Sequence, residues 1–176
     1  MNLKFLQVID NLFTENECKI IIDWVEKSGL EEVDKGIAQY YRNIFKNEQL
    51  ANILFMKIRQ YLPNQFNGST IVGLNKTFRI SKYYPGQYFD IHKDGFNVDS
   101  QGNRSVMTLN IFLNNNFSGG ETDFFLEDKQ TKRLSVKPLL GRGALFDSQQ
   151  YHCGNKVFDG YKYLLRTDVM VNMNTI

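Results

Sequence analysis

A histidine and an aspartate two residues apart, His92 and Asp94 in YFDIHKDG, have the types and the spacing to hold a metal. Their neighbours alternate in the manner of a β-strand, and on a strand residues i and i+2 project from one face. Two His and eleven Asp in 176 residues give some His-x-Asp by chance about one time in eight, so the pair needs support from elsewhere. The other histidine, His152, follows the strand-like GRGALFD, where an antiparallel partner strand could bring it opposite. Two imidazoles and one carboxylate on one face of a metal leave three coordination positions open, the arrangement non-heme Fe(II) oxygenases use for O2 and a co-substrate. The co-substrate such a site implies is 2-oxoglutarate, whose distal carboxylate needs a buried cation at fixed distance. Lys162 stands ten residues after His152, and Arg166 stands four further on with its side chain on the same face. An arginine would bind that carboxylate through two hydrogen bonds, whereas a lysine offers a point charge.

These side chains need a frame, and the chain divides into two compositional halves. TENECKIIIDWVEKSG puts Cys18, Ile21, Ile22 and Val25 at helical spacing, with a Thr14–Glu17 capping box at its start and Gly29 as a stop. A second amphipathic helix is expected from about Asn47 to Leu62, with Leu50, Ile53, Leu54, Met56, Ile58 and Tyr61 as its buried stripe and Pro63 ending it. Between the helices, EEVDKGIAQYYRN lacks a clear period and reads as a long connection, either a plain surface loop or a segment that touches substrate through Arg42 and Asn43. After about Gly68 come short runs of β-branched and aromatic residues separated by turn signals, including GGET, where Gly119 and Gly120 supply positive φ. Seven or eight such strands with no helical pattern between them predict an antiparallel roll. The expected fold is mainly β with N-terminal helices: a double-stranded β-helix, or cupin-like jelly roll, supported by about two α-helices. Residues 1–176 are expected to form a single domain, with 1–66 a helical support region and 67–176 the core that carries the iron site.

An apolar fraction of 42% and fourteen Phe with nine Tyr fit a packed, sheet-rich protein and exclude a disordered one. The formal charge is +2, with acidic and basic residues spread along the chain, so nothing supports a nucleic-acid binder. An Asp and an Asn interrupt the start, MNLKFLQVIDNLF, and no stretch approaches membrane-spanning length; the expectation is a soluble, cytoplasmic protein without a membrane partner. Cys18 and Cys153 are too few and too far apart for a disulfide framework. Cys153, next to His152, is either a neighbour of the metal or a small filler.

Several blocks carry a resemblance: ECKIIIDWVEKSG, then NKTFRISKYYPGQYFDIHKDG, RSVMTLNIFLN, GGETDF, the P-x-x-G-x-x-x-x-F run within KPLLGRGALFD, and YHCGNKVFDGYKYLLRTDVMV. In this order they resemble the 2-oxoglutarate and Fe(II)-dependent dioxygenases of the prolyl 4-hydroxylase type over nearly the whole chain. The resemblance implies that His92, Asp94 and His152 ligate iron, that Lys162 holds the 2-oxoglutarate C5 carboxylate and that Tyr83 donates a hydrogen bond to it. Thr108 and Asn110 share a face with Phe112 as a wall of that pocket; Phe112 stands where family members often carry a tyrosine, and Arg166 would share the work of the missing hydroxyl. Arg79 either reaches substrate or co-substrate or is a sheet-edge arginine, and Asp147 either orients a ligand imidazole or forms a turn. The implied reaction consumes O2 and 2-oxoglutarate, hydroxylates a C–H bond and releases succinate and CO2, with ascorbate as an optional reductant. The substrate implied first is a peptidyl, prolyl-type side chain. A free amino acid, another small metabolite or an alkylated nucleobase are alternatives, and a non-catalytic cupin-like module that binds metal or 2-oxoglutarate is the alternative of a different class.

Overall fold

The computed structural model describes residues 4–173. Strand β1 (Leu6–Ile9) leads into helix α1 (Glu15–Ser28), which begins as the sequence predicts: the Thr14 N–H donates to Glu17 Oε2 at 2.7 Å and the Glu17 N–H to Thr14 Oγ1 at 3.2 Å. The following segment is not a loop. It is a hairpin of β2 (Glu31–Asp34) and β3 (Ala38–Lys46), paired from Glu31 with Arg42 to Asp34 with Gln39. Helix α2 (Glu48–Ile58) is capped by Asn47 and ends in a short 3-10 turn, Arg59–Tyr61. It buries Ala51, Leu54 and Ile58, whereas Ile53, Met56 and Tyr61, expected in the stripe, face solvent. The helix therefore presents a narrower apolar face than its sequence suggests.

The remaining strands are β4 (Gln65–Phe66), β5 (Ser69–Leu74), β6 (Thr77–Tyr83), β7 (Tyr88–His92), β8 (Arg104–Phe112), β9 (Ser118–Gly119), β10 (Thr122–Phe125), β11 (Lys132–Val136), β12 (Gly143–Asp147), β13 (His152–Gly154), β14 (Val157–Asp159) and β15 (Lys162–Asn172). Among the described residues one 13-stranded sheet runs in the order β1-β12-β8-β15-β6-β3-β7-β13-β10-β11, with β2, β4 and β5 as side branches. The β3–β7 pairing, Ala38 with Phe89, folds this sheet round on itself into a jelly roll. The hairpin read as a loop is thus the seam that joins the two layers.

Strands β8 and β15 sit at the middle of the larger layer and are buried on both faces. Met107, Leu109 and Ile111 on β8 and Leu165 and Val169 on β15 face outward, where they pack with Val25 of α1 and Leu54 and Ile58 of α2. Thr108, Asn110 and Phe112 alternate with them and face into the roll, as do Lys162, Leu164, Arg166 and Asp168. At roughly 1.5 to 3 kcal/mol per fully buried large apolar side chain, the outer core holds the sheet rigid enough for its inner face to carry polar groups.

Candidate active site

Inside the roll the two histidines meet. His152 lies opposite His92 in the β13–β7 register, as the spacing of the two strands predicts, and their ring centroids are 4.3 Å apart. Asp94 lies between them: its Oδ1 is 3.6 Å from His92 Nε2 and its Oδ2 3.6 Å from His152 Nε2. One ligand atom from each of the three residues falls within 4.8 Å of the others, so the cluster could hold a metal ion. The rings are aimed by backbone. His92 Nδ1 is 2.7 Å from the Asp90 carbonyl oxygen and His152 Nδ1 is 2.9 Å from that of Gln150, contacts that fix the proton on Nδ1 and turn the Nε2 lone pair inward. Asp147 does not take this role; its Oδ1 accepts the Gln149 N–H at 2.8 Å in the turn after β12, because the nearer carbonyl of Gln150 already serves His152.

The protonation states suit a cation. His152 is packed against Phe146 and Phe124, and this burial pushes its imidazole down to about 4 despite the attraction of Asp94. It is neutral at neutral pH. Burial alone would raise the Asp94 carboxyl, but Arg166, His152 and the hydrogen bonds it accepts hold it well below the usual carboxylate range. Thr108 Oγ1 donates to Asp94 Oδ2 at 2.6 Å, and Arg166 Nη1 is 2.7 Å from Asp94 Oδ1.

A cleft of about 240 Å³ opens beside the cluster. Lys162 forms part of its wall, in register with Tyr83 on β6. Only 1% exposed, it makes a single contact to an acceptor among the described residues, donating to the Gly120 carbonyl at 2.7 Å, while its Nζ lies 4.8 Å from the Tyr83 ring centre and 5.6 Å from that of Phe112. Burial pulls the ammonium down to about 8. Gly120 has φ +68, and a Cβ there would come within 3.0 Å of Lys162 Cδ; the glycine is what lets this carbonyl approach the lysine. Arg166 has a different environment. Besides Asp94 it contacts Asp168 Oδ1 at 3.2 Å, and the other oxygen of Asp168 contacts Arg79 Nη1 at 3.4 Å and accepts from Asn97 Nδ2 at 2.9 Å.

The cleft is lined by His92, His152, Tyr83, Asn110, Lys162 and Arg166, and also by Arg79 and Arg42. Asp94 and Thr108 lie behind that lining, hydrogen-bonded to each other. Asn43 is not part of it. Adjacent residues of a strand point to opposite faces, so Arg42 looks into the cleft while Asn43 donates to the Gly29 carbonyl at 2.7 Å at the end of α1. Cys153 lines the cleft as a thiol that burial pushes up to about 11, outside the ligand cluster. The sequence reading missed Tyr40, which stacks on Tyr83 at 5.2 Å and on Phe89 at 5.9 Å, and Phe89 itself, stacked flat on His92 at 3.6 Å. The alternation of Ala38, Tyr40 and Arg42 was the available signal. Asp168 was missed too, since a carboxylate on a terminal strand carries no mark of the two arginines it will meet.

Comparison with known proteins decides the family. The model of the 2OG-Fe(II) oxygenase superfamily matches residues 78–167, a span that includes all three metal-cluster residues and Lys162. The chain belongs to that superfamily. It is a 2-oxoglutarate- and Fe(II)-dependent dioxygenase, which uses Fe(II), 2-oxoglutarate and O2. A protein from Acanthamoeba polyphaga mimivirus described as a prolyl 4-hydroxylase is 24% identical over 89% of this dioxygenase and 70% of its own length. A protein from Arabidopsis thaliana described as prolyl 4-hydroxylase 9 is 35% identical over 42% of this chain and 30% of its own. The viral collagen prolyl hydroxylase of Paramecium bursaria Chlorella virus-1, solved with 2OG, shares the fold at a TM-score of 0.72 and 23% identity, covering 96% of this chain and 97% of that one. A Pseudomonas putida prolyl-4-hydroxylase does so at 0.69 and 16%, covering 93% and 91%. The residues fit what the superfamily binds: two inward-turned imidazole Nε2 atoms and an ionised carboxylate for a divalent cation, and a buried ammonium with donor capacity to spare for a carboxylate. No helix among the described residues is long and apolar enough to cross a membrane.

Proposed function

We propose that this dioxygenase hydroxylates a C–H bond of a peptidyl, prolyl-type side chain, with iron on His92, Asp94 and His152 and 2-oxoglutarate anchored by Lys162. The observation that carries this reading is the metal cluster and the buried Lys162 ammonium sharing one cleft. Iron, once bound, would let O2 act as the oxidant, one oxygen atom going to the hydroxylated carbon and the other to succinate as 2-oxoglutarate is oxidised and loses CO2. The protein's part is to bind and orient. The carbonyls of Asp90 and Gln150 hold the imidazoles in their metal-accepting tautomer, and Thr108 steadies Asp94. Lys162, with no acidic side chain in contact among the described residues, would receive the C5 carboxylate, with the Tyr83 phenol beside it as a second donor. Tyr40, Phe89, Phe124 and Phe146 keep water from the two imidazoles. A peptide substrate is favoured by the relatives described as prolyl hydroxylases and by a further neighbour of the same fold, a Trichoplax adhaerens prolyl hydroxylase solved with a hypoxia inducible factor peptide (TM-score 0.71, 16% identity). The chain fits a single domain, in which the N-terminal region supplies the supporting helices α1 and α2 and also strands β1 and β3 of the roll. Two buried free thiols and a ferrous site both suit a reducing, cytoplasmic compartment.

The test is Fe(II)-dependent release of succinate from 2-oxoglutarate, stimulated by a proline-containing peptide. Mn(II) with 2-oxoglutarate should raise the melting temperature of the wild type, and His92→Ala should abolish both that shift and turnover. An equal shift in the variant would put the metal elsewhere.

A further inference from the structure

Charge is distributed unevenly around the cleft. Its lining includes Lys35, Arg42, Arg79, Lys162 and Arg166, and no aspartate or glutamate. Three of these cations have identifiable work. Lys162 is assigned above to the co-substrate, and Arg166 and Arg79, directly opposite each other in the β15–β6 register, are bridged by the 1%-exposed Asp168. Like charges facing across a strand pair destabilise a sheet, so the shared carboxylate explains how this pair is tolerated. Arg42 faces Glu31 across the β2–β3 hairpin but makes no ion pair with it. It is half-buried, it lies two residue pairs along β3–β6 from that arginine row, opposite Ser81, and its guanidinium makes no hydrogen bond or ion pair among the described residues. Lys35, in the β2–β3 turn at the mouth, is equally unpaired. One further donor points the same way: Arg166 Nε is buried without a partner, whereas Asn110 Oδ1, in register with it on β8, is a buried acceptor that calls for a donor. Buried polar groups left open are costly unless something completes them.

We propose that the primary substrate of this dioxygenase carries an anionic group, a carboxylate close to the carbon that is hydroxylated, and that Arg42 binds it. The inference rests on the hydroxylase reading and narrows its substrate. Five donors in a planar fork let Arg42 take a carboxylate through two parallel hydrogen bonds, and Lys35 adds a long-range attraction at the entrance. A neutral prolyl peptide would leave the Arg42 guanidinium without an ionic partner in the cleft. The carboxylate has two possible sources: an acidic side chain next to the target residue in a peptide, or the α-carboxylate of a free amino acid.

Matched pairs separate these. Isothermal titration of the Mn(II)- and 2-oxoglutarate-loaded protein would compare a peptide containing Pro-Glu with its Pro-Gln counterpart, and L-proline with L-prolinamide. Succinate release by the Fe(II)-loaded enzyme would follow on the same four compounds. At least one acidic member should bind roughly tenfold or more tightly than its neutral partner, and raised salt should narrow the gap. Preference for Pro-Glu identifies the peptide source, and preference for L-proline the free acid. Arg42→Gln should bring the ratio close to one, Arg42→Glu should reverse it, and Asn43→Ala, whose side chain faces away, should keep it. Equal binding within both pairs, no binding of either acid, or a ratio that survives Arg42→Gln would overturn the proposal. Absence of succinate in every arm, while the acidic member still binds selectively, would instead count against the hydroxylase reading alone.

Discussion

Two cations four residues apart on β15, Lys162 and Arg166, project into the same roll and meet opposite fates. Arg166 is paired twice, with Asp94 at 2.7 Å and Asp168 at 3.2 Å, and its charge is already answered by the fold. Lys162 is the more deeply buried, yet it has one backbone carbonyl and two aromatic rings for company, and its ammonium is pulled down to about 8. A buried charge with its partner built in is architecture; one without an acidic partner in the fold suits a ligand of opposite charge. The sequence offered both as anchors for 2-oxoglutarate. The contrast favours Lys162, and three measurements bear on it.

The largest effect should come from Arg166→Met. Removing the guanidinium takes the arginine from Asp94 and leaves Asp168 with Arg79 and Asn97 alone, each carboxylate nearly inaccessible, and breaking a buried pair from one side costs about 3 to 5 kcal/mol. Chemical denaturation should show that loss, while 2-oxoglutarate affinity, measured on whatever fraction stays folded, should fall less than tenfold. A variant as stable as the wild type would mean that the ion pairs are replaceable and the contrast is false.

Next is Lys162→Met. It should weaken 2-oxoglutarate binding by about two orders of magnitude, from a charge-assisted hydrogen bond of about 1.5 to 3 kcal/mol, and raise the melting temperature of the ligand-free protein at pH 7 by removing an unanswered buried charge. The pH dependence carries the same signature. Between pH 8 and 10.5 the unfolded lysine holds a proton that the folded one has released, so the lysine's share of stability rises with pH across that window and is lowest below it. The difference between wild type and Lys162→Met in urea midpoint should therefore shrink from pH 7.5 to 10. Wild-type affinity for 2-oxoglutarate should also decline above about pH 8, since the carboxylate needs the charged form. A flat profile, or a variant that keeps its affinity, would move the anchor to Arg166.

The smallest effect is expected of Phe112→Tyr. The ring is fully buried among Phe124, Phe146 and Leu164, and a hydroxyl added beside Lys162 would supply one more donor to the co-substrate at some cost in packing. Affinity for 2-oxoglutarate should improve by no more than a few-fold. A large gain would show that Lys162 and Tyr83 leave the carboxylate poorly satisfied.

Much of this protein was legible in one dimension because the signals are local. The His92-x-Asp94 spacing, the Thr14–Glu17 cap and the strand runs after Gly68 each follow from backbone periodicity within a few residues. The ordered blocks named the family before any pairing was known, and the family model falls on the same stretch. Failures arose where polar and apolar residues mix without a dominant period. EEVDKGIAQYYRN reads as a loop because its buried Val33, Ala38 and Tyr40 are separated by a turn that breaks the alternation, and α2 exposes Ile53 and Met56 because nothing in the sequence says how wide a face the sheet will cover.

The sequence alone determined which atoms the site contains: two imidazoles, a carboxylate, a lysine and an arginine, at spacings that strand geometry converts into a shared face. Tertiary structure decided what each is for. Whether a cation is spent or available depends on what lies across the strand, and that is set by pairings between residues as distant as Asp94 and Arg166, or Gly120 and Lys162. Coulomb attraction and desolvation depend on distance in space, and the periodicity of a chain carries no record of that distance until the sheet has closed.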